Sequence, residues 1–157
     1  MKIFFTSALI KEMFEIRKTE YIKSYNVLKD YISKENIFII ECFLNEQNTF
    51  LNSFGDNVFY VSENNTANNK GVREASSLIK FIQLIKDKVD DDELIIKQTG
   101  RYCFLSNYFI EDIKKNADCD VFVRSGTGAQ FFFGCFAIKF KWFKIFLKNF
   151  QTMILKK

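Results

Sequence analysis

Short apolar runs, rich in β-branched and aromatic residues, alternate along this chain with segments whose apolar residues recur at helical spacing. The runs predict strands at residues 3–7, 37–42, 57–62, 93–97 and 119–123, and a last strand at 131–140 that Gly134 interrupts. The helical spacing predicts helices at 19–33, 72–86, 106–115 and from 141 onward, with a short helix at 49–54 that stops at Gly55. Such alternation is typical of an α/β fold in which helices flank a mainly parallel central sheet. We therefore expect one Rossmann-like domain over residues 1–157.

Two residue types are missing from the chain, and their absence excludes whole classes of function. The 157 residues include no histidine, which excludes Ser-His-Asp and Cys-His catalysis, HExxH zinc sites and imidazole acid–base chemistry. Any catalysis must come from carboxylates, Lys, Tyr, Cys or bound groups. The chain also lacks proline, which excludes proline-rich linkers and favours a single domain.

Charge and cysteine usage suggest the setting in which the protein works. The formal net charge of +4 is too mild to indicate a nucleic-acid partner, so none is predicted. The four cysteines form no CxxC pair, which makes a zinc site improbable and suggests buried thiols in a reducing compartment. The apolar run at the start is short and lacks a cleavage site, and no segment reaches the roughly 18 apolar residues of a membrane span. We expect a cytoplasmic protein.

Parallel sheets bind ligands in the crevice beyond the carboxyl ends of their strands, and two segments fall at that position. The first is NNKGVREA at 68–75, where a polar loop opens a helix. The amide N–H groups of a helix N-terminus favour a phosphate, and Lys70 and Arg73 would add positive charge. The alternative is that Asn and Gly simply make a turn and cap the helix.

The second segment is KQTGRY at 97–102, at the end of a buried strand. Lys97 and Arg101 bracket a Thr-Gly turn and would hold a diphosphate, with Gly100 letting the backbone approach the ligand. The alternative is an ordinary turn in which Arg101 pairs with the acidic run at 90–93. We interpret that run as a solvated loop rather than a metal site, because it precedes its strand and lies opposite the expected crevice.

Two further segments leave alternatives open. The Gly-rich stretch at 125–129 has no following Lys-Ser/Thr, so it is not a Walker A loop; it is either a flexible loop over the crevice or a plain connection. The stretch at 140–157 is basic and aromatic, with Lys141, Lys144 and Lys148 on one helical face and Phe140 and Phe143 on another. This helix either contacts an anionic membrane surface or packs its aromatic face onto the sheet.

In order along the chain, these pieces resemble a known family. The run DDDELIIKQTGRYCFLSNYF at 90–109 resembles a signature of small predicted glycosyltransferases with a GT-A-like fold, in which a strand ends in Lys-x-Thr-Gly-Arg-Tyr. Supporting matches lie at 39–41 (IIE), 69–72 (NKGV) and 133–139 (FGCFAIK), so the resemblance covers nearly the whole chain.

The resemblance implies a nucleotide-sugar donor and a set of residues around it. Thr6, Ser7 and Glu41 would face the base and ribose. The other implied substrate-binding residues lie in the two segments above and are Asn69, Lys70, Gly71, Arg73, Lys97, Thr99, Gly100, Arg101 and Tyr102.

Most members of the GT-A group carry an Asp-x-Asp metal motif where this chain has Gln98-Thr99-Gly100. No Mg²⁺ or Mn²⁺ ligand motif is therefore found, and Lys97 and Arg101 would neutralise the leaving nucleoside diphosphate instead. No acidic residue follows Asp120, which becomes the candidate catalytic base.

The sequence thus predicts a glycosyltransferase-like protein that moves a sugar from a nucleotide-sugar donor to a glycan or lipid-linked acceptor, at the inner face of a membrane if the segment 140–157 contacts one. The alternative is a non-catalytic domain, either a degenerate transferase or a membrane-surface adaptor that uses the basic aromatic helix. The nucleotide, the sugar, the acceptor, a dependence on Mg²⁺ or Mn²⁺ and the stereochemical course, inverting or retaining, are left open.

Overall fold

The computed structural model describes residues 1–44, 47–62, 69–125 and 131–155, and within these ranges the chain forms six strands and four α-helices. The strands are β1 (Lys2–Ser7), β2 (Ile37–Glu41), β3 (Val58–Tyr60), β4 (Leu94–Thr99), β5 (Val121–Ser125) and β6 (Phe131–Lys139). The helices are α1 (Phe14–Leu28), α2 (Lys70–Ile85), α3 (Tyr108–Lys115) and α4 (Phe140–Leu155). Three short 3-10 helices lie at Lys11–Met13, Lys34–Asn36 and Phe50–Phe54.

The six strands form one sheet in the order β3-β2-β1-β4-β6-β5. β1 is parallel to β2 and β4, and β2 is parallel to β3. β6 is antiparallel to both of its neighbours, so the prediction of a mainly parallel sheet is wrong and the sheet is mixed. The reason lies in the length of the link between β5 and β6, residues 126–130. A parallel crossover needs a dozen or more residues, whereas a short link reverses the chain.

The central strands β1, β2 and β4 are mainly buried on both faces because helices cover each side of the sheet. Along β1, Phe4 points into one apolar cluster, and Ile3 and Phe5 point into the other. The first cluster contains buried residues of α2 and α4, and the second contains buried residues of α1 and α3. Alternate residues of one strand reach opposite faces, so a run such as IFII at 37–40 is apolar throughout when both faces are covered.

The order of the elements is as predicted, but some boundaries differ. α1 begins at Phe14 and ends at Leu28, five residues earlier at each end than predicted. Ile32 lies in the turn after α1, where its N–H bonds to the carbonyl of Leu28, so its side chain matched the helical spacing without being helical. β6 continues through Gly134 without interruption. The 3-10 helix at Phe50–Phe54 ends at Gly55 as predicted, with a φ of 147° that favours glycine.

Candidate functional site: a crevice at the ends of β1 and β4

A cavity of about 370 Å³ lies beyond the carboxyl ends of β1 and β4. At this point the strand order reverses, since β2 and β3 follow on one side of β1 and β4 lies on the other. Open α/β sheets bind ligands at such a switch point, because the chain leaves neighbouring strands in opposite directions and opens a gap. The walls come from the end of β1, from α1, from the first turn of α2 and from the residues after β4.

Arg17 on α1 lines this crevice, and the sequence analysis missed it. Arg17 is buried, with 8% of the residue exposed. Its Nη1 donates to Glu20 Oε2 at 3.0 Å, but within the described part of the chain the buried Nε has no hydrogen-bond partner. A buried N–H without an acceptor is costly, which makes it a donor available to a ligand in the crevice. The signal was missed because the helix was predicted to begin only at residue 19.

The first turn of α2 forms a second wall. Asn69 caps the helix, and its Oδ1 accepts hydrogen bonds from the amides of Gly71, at 2.9 Å, and Val72, at 3.4 Å. Lys70 and Gly71 line the crevice and are exposed. Arg73 lies behind this wall, with its guanidinium carbon 4.3 Å from the centre of the Phe43 ring. The structure therefore brings Lys70 and Gly71 to the crevice, while Asn69 caps the helix and Arg73 packs on an aromatic ring.

Lys97 lies beneath the crevice rather than in its lining. Its side chain is 1% exposed, and its Nζ contacts Glu74 Oε1 at 2.8 Å and Thr99 Oγ1 at 2.9 Å. Thr6 donates to the same Glu74 oxygen at 2.5 Å. Glu74, which the sequence analysis did not single out, lines the crevice together with Thr6 and Thr99. The charge of Lys97 is thus matched by a carboxylate that itself borders the cavity.

The residues after β4 form the remaining wall. The amide of Gly100 donates to the carbonyl of Thr6 at 2.8 Å, which continues the pairing of β4 with β1. Gly100 is buried, and a Cβ there would lie 2.3 Å from the Phe5 ring, so glycine is required for packing. Arg101 is exposed and stacks over the Tyr102 ring at 5.1 Å. Arg101 lies beyond the carboxyl end of β4, so it does not pair with the acidic run at 90–93.

Ser7 and Glu41 were predicted to face the base and ribose, but Glu41 is fully buried and its oxygens are occupied. Ser7 donates to Oε2 at 2.6 Å, and the amides of Leu9, Phe43 and Leu44 donate to the carboxylate at 2.8–3.2 Å. Burial raises the pKa of Glu41, and these donors oppose that rise. Glu41 therefore holds the loops after β1 and β2 together, while Ser7 lines the crevice with its hydroxyl turned toward Glu41.

Asp120, the predicted catalytic base, lies at the opposite edge of the sheet, away from the crevice. Its Oδ1 contacts Lys139 Nζ at 2.8 Å, and Lys139 is the register partner of Leu94, the first residue of β4. The crevice lies past Thr99, the last residue of β4, roughly 17 Å along the strand. Asp120 is half exposed, and its pKa is lowered mainly by its hydrogen bond with Lys139. The carboxylate at the crevice is Glu74.

The acidic run and the C-terminal helix meet at this same opposite edge. Phe140, Phe143 and Leu147 are buried in the cluster beneath α2 and α4. Lys141 contacts Asp92 at 2.5 Å, and Lys144 pairs with Asp91. No helix of the described residues is long and apolar enough to cross a membrane. α4 thus packs its aromatic face onto the sheet, and two of its lysines pair with the exposed acidic run.

The charged groups of the crevice are mainly cationic. Lys70 and Arg101 form no ion pair with another described residue, and Arg17 keeps a free Nε–H, whereas Glu74 is held by Lys97 and Thr6. Among the residues that the structure describes, no group of three or more Cys, Asp or Glu side chains is arranged to hold a metal ion. Glu74 is the one carboxylate among the described residues that line the crevice, and this set does not fit a carboxylate-bridged Mg²⁺ or Mn²⁺. The Gly-rich stretch at 126–129 lies outside the described residues.

Comparisons with protein-family models, with curated proteins and with solved structures find no match to this chain.

Proposed function

We propose that the crevice binds a nucleotide sugar and that the protein is a glycosyltransferase with a GT-A-like fold, acting on a glycan or lipid-linked acceptor. The observation that carries this proposal is the set of three cationic side chains, Arg17, Lys70 and Arg101, that line a crevice at the strand-order switch point. The buried Nε–H of Arg17 lacks an acceptor that an anionic oxygen would supply.

A nucleoside diphosphate is the leaving group of such a transfer, and it carries negative charge that grows as the glycosidic bond breaks. Fixed cations that already surround its site stabilise that charge without reorganising during the reaction. Lys70 and Arg101 approach the crevice from opposite walls, and Lys70 stands at the N-terminus of α2, whose dipole favours an anion. In this proposal they hold the diphosphate, and Arg17 donates to one of its oxygens from below.

In this proposal Glu74, rather than Asp120, supplies the carboxylate that contacts the substrate in the crevice. Lys97 and Thr6 both bind its Oε1, which fixes the direction of the carboxylate at the crevice wall. In this proposal Oε2 accepts a hydrogen bond from a sugar hydroxyl and so orients the transferred group.

The strand order adds support. The run β3-β2-β1-β4 matches the first four positions of the classical dinucleotide-binding order 3-2-1-4-5-6, with the ligand at the β1/β4 switch point. The antiparallel β6 departs from that classical order, and the resemblance of the chain to GT-A-like proteins carries the more specific part of the proposal.

Thermal-shift measurements test the proposal with UDP, GDP, CMP and dTDP sugars, each with and without Mn²⁺. A ligand at 100 times its dissociation constant adds about 2.7 kcal/mol to the free energy of unfolding, which raises the melting temperature measurably. We expect one nucleotide class to raise it, and the rise to be lost in the double variant Lys70→Gln, Arg101→Gln. Lys80→Gln, on the same helix but outside the crevice, is the matched control. The proposal fails if no nucleotide shifts the wild type.

The membrane-surface adaptor remains the alternative, and one observation bears on it. Lys141 and Lys144 already pair with Asp92 and Asp91, which lowers the positive charge that α4 offers to anionic lipid. Co-sedimentation with vesicles containing phosphatidylserine tests this alternative. It measures binding to anionic lipid, which a location at an inner membrane face would require. Salt-sensitive binding that disappears in a Lys141→Gln, Lys144→Gln, Lys148→Gln variant would favour the adaptor.

A further inference from the structure

A second cavity, of about 460 Å³, lies beside the crevice. Arg101 and Tyr102 line both cavities, so this pair forms the wall between them. The remaining lining is mostly apolar and comes from the residues after β4, from α3 and from β6, namely Cys103, Phe104, Phe109 and Cys135, with Gln98 as the one amide. The Phe104 and Phe109 rings stack with their centres 6.0 Å apart. The volume falls within the range of small-molecule sites.

Gln98 gives this cavity an unusual polar feature. Gln98 is buried, with 1% of the residue exposed. Its Nε2 donates to Ser24 Oγ at 2.9 Å and to the Tyr102 carbonyl at 2.5 Å, while its Oε1 has no hydrogen-bond partner among the residues that the structure describes. A buried amide oxygen without a donor is costly in an apolar setting.

The orientation of this amide is fixed by its neighbours. Ser24 donates its own hydroxyl to the Tyr102 carbonyl at 2.7 Å, so both Ser24 Oγ and that carbonyl present lone pairs to Gln98. Turning the amide over would set Oε1 against two acceptors and leave Nε2 in the apolar space. The free group is therefore the oxygen, and what it lacks is a hydrogen-bond donor.

The segment beside the cavity is apolar and faces solvent. Leu105 is 100% exposed and Tyr108 is 81% exposed, and both are neighbours in sequence of the Phe104 and Phe109 rings that line the cavity. Exposed apolar side chains that cluster beside an apolar cavity are typical of a surface that receives an apolar ligand.

We propose that this second cavity binds the acceptor of the transfer through an apolar ring that carries one hydrogen-bond donor, which Gln98 Oε1 accepts. That the ligand is the acceptor of the transfer rests on the proposed function. The chemical class of the ligand rests only on the cavity and the Gln98 amide. The ring lies between Tyr102 and the Phe104–Phe109 pair. Its donor group sits at the shared wall, next to the crevice that would hold the sugar.

The test uses phenol and toluene, which have nearly the same shape but differ in the presence of an O–H donor. Occupancy is measured as protection of Cys103 from alkylation by iodoacetamide, followed by mass spectrometry of the separated peptides. Cys119 is exposed, lies outside the cavity and serves as the internal control. Burial raises the pKa of Cys135 to about 11, so that thiol stays protonated and unreactive at neutral pH.

We expect phenol to protect Cys103 at a concentration about three- to tenfold lower than toluene, the factor that one neutral hydrogen bond contributes. Gln98→Met should remove this preference by lowering the phenol affinity to that of toluene. Ser24→Ala disturbs the same hydrogen-bond network but leaves Oε1 in place, so it should keep the preference. The wild-type comparison decides the matter by itself if Gln98→Met does not fold.

Equal protection by the two probes, or none, would overturn the inference, and so would stronger protection by methyl glucoside than by phenol. The outcome is independent of the nucleotide panel. Nucleotide binding without phenol binding rejects this inference and leaves the proposed function in place. Phenol binding without nucleotide binding would support an apolar ring with one hydrogen-bond donor as the ligand of the second cavity. It would reject the proposed function, and with it the idea that this ligand is the acceptor of the transfer.

Discussion

The two edges of the parallel strands both carry charged residues but use them differently. At the amino edge, each of Asp91, Asp92, Glu93 and Asp120 contacts a lysine or the chain's amino terminus. At the carboxyl edge, Arg17 keeps a buried Nε–H without a partner, and Lys70 and Arg101 form no ion pair with a described residue. At the amino edge, which we call the closed edge, these charges are paired. At the carboxyl edge, which we call the open edge, cationic groups face a cavity.

This difference shows why a count of charges in the sequence is a weak guide to function. The acidic run at 90–93 is the most conspicuous charge cluster in the chain, yet its ion pairs lie at the surface, where such pairs contribute little stability. The single arginine on α1 is inconspicuous, yet its unsatisfied donor is what a ligand would complete. Predictions that separate the two edges follow, from the largest expected effect to the smallest.

The substitution Gly100→Ala should have the largest effect, because it breaks the packing beneath the open edge. The new Cβ would lie 2.3 Å and 2.4 Å from atoms of the buried Phe5 ring and 3.0 Å from Tyr21. Overpacking of this kind costs about 1–3 kcal/mol, which lowers the melting temperature by several degrees. Gly71→Ala is the control, since its Cβ would contact only Asn69 Oδ1, at 3.2 Å, among the atoms near it. Equal losses from the two variants would contradict the tight packing at Gly100.

The substitution Glu41→Gln should come next. Both carboxylate oxygens accept hydrogen bonds from buried donors, so an NH₂ group in place of either oxygen would face an N–H or O–H donor. Leaving a buried donor unsatisfied costs about 1–3 kcal/mol, measured by urea unfolding.

Because burial raises the pKa of Glu41 in the folded protein, folding favours its protonated form. Its contribution to stability therefore falls as the pH rises above the ordinary carboxyl pKa, and Glu41→Gln should remove that part of the pH dependence. A variant as stable as wild type would show that Glu41 is not the anchor of these two loops.

The substitution Arg17→Gln should weaken nucleotide binding by about tenfold or more, the contribution of a hydrogen bond to a charged group. Calorimetric titration with the nucleotide that gives the largest thermal shift measures this. Arg17→Lys keeps the charge and removes the Nε–H. It should recover only part of the affinity if that N–H contacts the ligand. Full recovery by lysine would show that the charge alone matters.

The smallest effect is expected from Lys141→Gln at the closed edge. Lys141 lowers the pKa of Asp92, so the pair stabilises the folded protein above the ordinary Asp pKa and loses that effect as the pH falls through the lowered value. The wild type and the variant should therefore differ slightly in melting temperature at neutral pH and low salt. They should converge in acid and in 1 M salt. A large, salt-independent difference would mean that Lys141 supports the fold by packing instead.

Much of the fold could be predicted because the central strands β1, β2 and β4 are mainly buried on both faces and therefore appear in the sequence as short apolar runs. The direction of β6 was not predicted, although the five-residue link before it already excluded a parallel crossover. The start of α1 was also missed. The helix begins at Phe14, and the residue before it, Met13, has no side chain that could cap the helix. The sequence therefore contains no capping residue that would mark the start of α1.

The candidate site was predicted in part. The rule that ligands bind beyond the carboxyl ends of parallel strands directed attention to Lys70 and Arg101, and both line the crevice. The same rule cannot tell which polar residues turn inward. Glu41 and Lys97 were named as ligand residues, yet each is buried and bonded to other protein groups. Glu74 was overlooked because it sits within a helix, and only the three-dimensional approach of α2 to β4 brings it to the crevice.

The wall formed by Arg101 and Tyr102 couples the affinities of the two cavities for their ligands. A ligand that moves this pair while entering one cavity changes the affinity of the other, and linkage requires the change to be the same factor in both directions. Phenol affinity measured with and without nucleotide, and nucleotide affinity measured with and without phenol, should therefore give one common coupling constant. The sign of the coupling free energy tells whether each ligand raises or lowers the affinity of the protein for the other.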